Sequence, residues 1–188
     1  MGSLPDVILE RDQFDLLFRV LGSRGYSVVG PTIEDQAIVY EEISCSADLP
    51  IGWTDRQDGG HYRLERRADE ALFGYVVGPQ SWKKYLHPPN LKMWEAHRGE
   101  NNSFRFESAD EEQPPRLAFL GIRSCELHAI AIQDRVFLGN AFADSHYERR
   151  RRNMFTIAVN CGVAGGTCFC VSMNTGPAVS ETIAHDLV

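Results

Sequence analysis

Phe14, Leu17, Phe18 and Leu21 recur at three- and four-residue spacing early in the chain, and Gly22 and Gly25 follow as a stop. This pattern predicts one amphipathic helix. Gly30 and Pro31 are expected to break two β-branched stretches, after which "AIVYEEI" at 37–43 runs as a strand. A further pair of strands is predicted in "HYRLERR" at 61–67 and "ALFGYVVGP" at 71–79, joined by a polar turn at Ala68, Asp69 and Glu70. Antiparallel pairing is therefore expected in the N-terminal part.

After Pro79 the texture changes. Ser81 is placed to cap a short helix that Pro88 and Pro89 end before another begins, with Trp82, Tyr85, Leu86, Met93 and Trp94 as core residues. The polar, acidic stretch from Arg98 to Pro115 reads as a loop, and a subdivision of the domain is expected near 100–115. Beyond it, "RLAFLG" at 116–121 is a buried-strand pattern. "SCELHAIAIQDRVF" at 124–137 is a helix that opens with Ser and carries an acid in its first turn, and "FTIAVN" at 155–160 is a second buried strand. The sequence thus predicts an α/β (α+β) fold: antiparallel N-terminal strands with helices, then a βαβ-type C-terminal half with parallel pairing.

Composition narrows the class. The 188 residues suit one core or a core with a small appended subdomain, and 43% hydrophobic with 24% charged residues is ordinary for a soluble protein. No apolar run approaches a membrane span and no secretory signal opens the chain, so a cytoplasmic location without membrane attachment is expected. A net charge of -7 argues against a nucleic-acid partner. Five cysteines, an odd number in a chain without an export signal, argue against a disulfide framework.

Three of those five cysteines fall within ten positions, in the glycine-rich "NCGVAGGTCFC" at 160–170. In a βαβ unit the carboxyl ends of the strands and the helix N-terminus meet at one edge. The first strand leads into Cys125 at the start of the helix, and the second leads into Cys161 and the loop bearing Cys168 and Cys170. Four cysteines separated by 35, 6 and 1 intervening residues are therefore expected to converge, with Cys45 outside. Four thiolates saturate either a tetrahedral zinc or a [4Fe–4S] cluster. Zinc sites usually use paired C-x2-4-C knuckles, whereas one C-x-C, one isolated Cys161 and a distant Cys125 suit a bulkier cluster better.

Gly162, Gly165 and Gly166 would let backbone amides approach its sulfides. The helix N-terminus favours a thiolate at Cys125, and Arg123 with the arginine run at 149–152 offers positive charge. Each feature also has a plainer reading. A lone cysteine is usually a small hydrophobe, the reading given to Cys45. The arginine run fits a solvated helix face, His128 is a candidate ligand or a satisfied histidine, and Asp134 and Arg135 read as surface charge. A nucleotide-binding loop is not supported, because "GVAGG" enters "TCFC" rather than a helix. A C-x-C redox pair stays open.

The stretches "GIRSCELHAIAIQDRVF", "YERRRRNMFTIAVNC" and "CFCVSMNTGP", with "DLPIGWTDRQDGGHYRL" and "GYVVGPQSWKKYLHPP" upstream, resemble one family. It is that of the beta (electron-transfer) subunits of cytoplasmic sulfhydrogenases, together with the related iron–sulfur subunits of anaerobic sulfite reductases. The resemblance implies a non-catalytic iron–sulfur domain over residues 1–188 that relays electrons between a flavin-containing partner and a catalytic subunit such as a nickel–iron hydrogenase. Cys125, Cys161, Cys168 and Cys170 match the family's cysteine positions and are implied to hold one [4Fe–4S] cluster. The ferredoxin-like module that follows in the family is not in this sequence, so a piece of a longer polypeptide is expected. A structural zinc module and a cofactor-free assembly module are the alternatives.

Overall fold

A computed structural model describes residues 7–78, 80–99, 103–108, 114–139 and 141–188. Its centre is a four-stranded sheet in the order β2-β1-β7-β8, formed by Ala37–Glu42, Ser27–Glu34, Leu117–Ile122 and Met154–Ala158. β1 and β2 are an antiparallel hairpin, while β1 pairs with β7 and β7 with β8 in parallel. Helix α1 (Asp15–Ser23) is the predicted N-terminal helix, and α3 (Ser124–Phe137) and α4 (Ser145–Arg152) make the crossover from β7 to β8. The mixed α/β class and the parallel C-terminal pairing are as expected. The N-terminal hairpin and the βαβ half share one sheet.

β7 is apolar throughout because both of its faces are covered. Ala118 and Leu120 face a core with Phe18, Leu21, Val28 and Ile157. Phe119 faces the opposite core, where Tyr40, Trp82, Leu127, Ile130 and Tyr147 are packed. Ile122 joins Phe119's core despite its odd spacing, because the register with β8 shifts between Leu120 and Ile122. The shift falls at Gly121, whose φ of +87° is left-handed and whose missing Cβ would lie 2.9 Å from Phe73. This irregularity redirects the chain just before Arg123 and Cys125.

Several local expectations are corrected. β1 runs straight through Gly30 and Pro31. Ile43 N–H donates to the Val28 carbonyl (2.9 Å), so even-numbered β1 residues bond toward β2 and odd ones toward β7. Pairing with β7 ends at Val29, and Pro31 therefore breaks no ladder by lacking an N–H. "HYRLERR" forms β4 (His61–Arg66), but its partner is β3 (Trp53–Asp58), and 71–78 is irregular. The short helix α2 (Lys83–Leu86) does form, with Ser81 Oγ accepting from Lys83 N–H at 3.1 Å.

No second helix follows α2 among the described residues before α3. Trp94–Arg98 (β5) lies where that second helix was expected and Phe104–Ser108 (β6) lies in the stretch read as a loop; the two form an antiparallel hairpin. Its exposed Trp94 and the exposed Met93 are not core, whereas Trp82 and Leu86 are almost fully buried. Of the expected subdivision near 100–115, residues 100–102 and 109–113 lie outside the described residues. Among the described residues no helix is long and apolar enough to cross a membrane.

Candidate cysteine-lined site

The carboxyl ends of β7 and β8 open onto the two cysteine-bearing segments. β7 ends at Ile122, Arg123 caps α3, and Cys125 lies in the first turn. β8 runs into Asn160 and a loop whose neck closes on itself: Cys161 N–H donates to Pro177 O (3.1 Å), and Val179 N–H donates to Asn160 Oδ1 (2.8 Å). Inside the loop, Cys168 N–H donates to Gly165 O (3.1 Å) and Thr175 N–H to Cys170 O (2.9 Å). The closed neck brings Cys168 and Cys170 back beside Cys161. The loop also leans on β3, where a Cβ at Gly166 would stand 2.3 Å from the Gln57 carbonyl oxygen. Only glycine fits that approach without displacement.

Cys125, Cys161, Cys168 and Cys170 all line one open cavity of about 710 Å³ between the start of α3 and the loop. Cys45 lies elsewhere, at the start of the 3-10 turn Ser46–Asp48. All five thiols are free. Among the described residues no three His, Cys, Asp or Glu side chains are grouped tightly enough to hold a single metal ion.

Cys125 sits at the exposed mouth, yet the surrounding walls push its thiol up to about 11, mainly by desolvation. The negative charge of Glu126, and then of Cys170, Cys161 and Cys168 when ionised, adds to this. Each of the three loop cysteines is therefore close enough to be felt electrostatically at Cys125. His128 also lines the cavity.

The polar groups beneath the site are almost all engaged. Arg123 is buried, with its guanidinium donating to the carbonyls of Phe73 (3.0 Å), Tyr75 (2.9 Å) and Asn160 (3.4 Å). Its guanidinium thus fastens two segments, around residues 73–75 and at Asn160, to the start of α3. Glu126 accepts from Arg123 N–H (2.8 Å) and from Tyr40 Oη–H (2.6 Å), which ties the helix start to β2. Burial pushes the Glu126 carboxyl up. The arginine run at 149–152 is on α4 and does not line the cavity; Arg151 pairs with Asp134 (3.0 Å) and Arg152 with Glu148 (2.5 Å). Asp134 is half-buried and also accepts from Tyr147 Oη–H (2.7 Å), so it is a structural anchor rather than free surface charge.

Sequence reasoning missed the Glu126–Tyr40 link, Ser124 and Gly176. An acid at the third position of a helix was the one visible signal for Glu126. Nothing in the pattern singled out Tyr40, whose partner lies 86 residues away.

Sequence comparison adds one relative. This chain is similar to a sulfhydrogenase subunit. Over 130 residues it is 29% identical to the sulfhydrogenase 2 subunit beta of Pyrococcus furiosus, a match covering 67% of this chain and 36% of that protein. The chain thus spans about a third of the length of the curated relative it matches. No family model matches. No solved structure matches either.

Proposed function

We propose that this domain is a non-catalytic electron-transfer part of a cytoplasmic multi-subunit oxidoreductase of the hydrogenase, sulfur reductase or sulfite reductase type. In this reading Cys125, Cys161, Cys168 and Cys170 hold one [4Fe–4S] cluster, and its electrons pass between a flavin-containing partner and a catalytic subunit. The observation that carries the reading is the meeting of four thiols, separated by 35, 6 and 1 residues, around one cavity that excludes Cys45. Similarity to a protein named as a sulfhydrogenase subunit supports the same class.

The residues present fit such a group. A four-thiolate zinc needs every sulfur about 2.3 Å from one centre, and among the described residues no three metal-ligating side chains are grouped that closely, while four thiols line one cavity. Gly176 leaves room where a Cβ would stand 3.3 Å from Cys170 Sγ. When bound, the cluster supplies a one-electron relay. The chain's own residues hold and insulate it. Burial and neighbouring negative charge hold Cys125 as a thiol in the metal-free protein, and binding releases the thiol protons. Arg123 places a buried positive charge at the wall. Phe169 and Ile132 supply apolar surface at the rim.

Anaerobic reconstitution with iron and sulfide, followed by metal analysis and a visible spectrum, tests the proposal. About four irons per chain with broad absorption near the blue are expected. One zinc and no colour would replace the relay with a structural metal module.

A further inference from the structure

Ser124 is 2% exposed, and its Oγ is buried without a hydrogen-bond partner. Buried hydroxyls are nearly always paired, so this one calls for an acceptor. Ser124 lines the cysteine cavity. Its surroundings indicate which wall it shares: a Cβ on Gly176 would lie 3.8 Å from Ser124 Cβ and 3.3 Å from Cys170 Sγ. Ser124 and Cys170 thus flank the same glycine, with Cys125 next along the chain.

Several neighbouring donors are already committed. The Arg123 guanidinium serves the carbonyls of Phe73, Tyr75 and Asn160, Arg123 N–H serves Glu126, and Cys161 N–H serves Pro177. Thr175 Oγ1 donates to Cys170 O at 3.3 Å. The Ser124 hydroxyl remains as a donor at the wall that has no acceptor within the described protein.

We propose that Ser124 is a positioning residue whose hydroxyl donates a hydrogen bond to a sulfur of the bound cluster or of its Cys170 ligand. This rests on the cluster reading above and adds to it a residue that sets the reduction potential. A hydrogen bond to sulfur stabilises the added negative charge of the reduced state and so raises the potential. The first turn of α3 fixes the serine beside Cys125, and its burial keeps water from competing for the hydroxyl.

The test uses the whole chain, loaded anaerobically with iron and sulfide, as wild type, Ser124→Ala and Ser124→Thr. Iron and sulfide content, circular dichroism of the metal-free forms and the midpoint potential are measured. Ser124→Ala is expected to keep its iron but to shift the reduced-to-oxidised ratio about tenfold toward oxidised at fixed ambient potential, about 59 mV for a one-electron couple. Ser124→Thr, which keeps the hydroxyl, is expected to restore the wild-type value. Loss of iron from a folded Ser124→Ala chain that Ser124→Thr restores would equally support the bond. A loaded Ser124→Ala protein with the wild-type potential would overturn the role of Ser124 and leave the cluster intact as a reading. A Ser124→Ala chain that is unfolded without metal would also overturn it, by making the serine structural. A wild-type chain that takes up no iron would overturn the cluster reading and this inference together.

Discussion

Changing Cys125 to serine is expected to lower the affinity for the iron cluster by more than about 100-fold, beyond the 10- to 100-fold that losing an outer-sphere partner costs. Cys125 reaches the cavity from α3, and the other three thiols reach it from the loop after β8. Without it, one wall of the site has no thiolate, and a serine hydroxyl is a far poorer ligand for iron at neutral pH. The fold should survive, because Cys125 is exposed at the cavity mouth rather than packed in either core. Cys45→Ser is the matched control. Cys45 N–H bonds Asp48 Oδ2 (3.2 Å) away from the cavity, so iron content should stay at the wild-type level. Iron per chain after anaerobic reconstitution distinguishes the two variants, and a Cys125→Ser protein that retains about four irons would refute the assignment.

The largest effect on stability is expected at Trp82. Its indole is 1% exposed and lies between Tyr40 and Phe119, with ring centroids at 3.9 and 4.4 Å and interplanar angles of 28° and 25°. Trp82→Ala should cost about 3–5 kcal/mol, since the sheet and α2 hold the space open around the missing ring. For a chain of this size that corresponds to a fall in Tm of about 6–20 °C. The indole Nε1 lies near the Glu126 carboxylate without completing a well-formed hydrogen bond, so Trp82→Phe forfeits little polar contact and should cost distinctly less. Urea unfolding of the metal-free protein measures both. The alanine variant should also loosen the site, because Tyr40, stacked on Trp82, donates to Glu126 at the start of α3.

What the sequence revealed follows from where periodicity carries the signal. β7, α3 and β8 were legible because an apolar run, a segment opening with Ser and an acid in its first turn, and a second apolar run together have few other solutions. The convergence of Cys125 with the loop thiols then followed from topology, since parallel neighbours put both strand ends on one edge. β5 and β6 were not legible: β5 follows two prolines and was read as a helix start, the polar composition around β6 resembles a loop, and Trp94 and Phe106 pair in a T-shaped contact while both remain exposed. Large aromatic residues are often buried, but the reverse inference from residue type to core position fails here. Pro31 looked like a breaker because the pattern along one strand does not record where its neighbour's ladder stops. Ser124 and Glu126 gained their meaning only from residues distant in sequence.

Thiol accounting on the iron-loaded protein addresses the shared site most directly. After anaerobic reconstitution, the folded chain is treated with an alkylating reagent and the modified cysteines are located by mass spectrometry. Protection of Cys125, Cys161, Cys168 and Cys170 together, with any modification confined to Cys45, is the expected result, and all four should become reactive once iron is chelated away. Alkylation of Cys125 while the iron stays bound would contradict it.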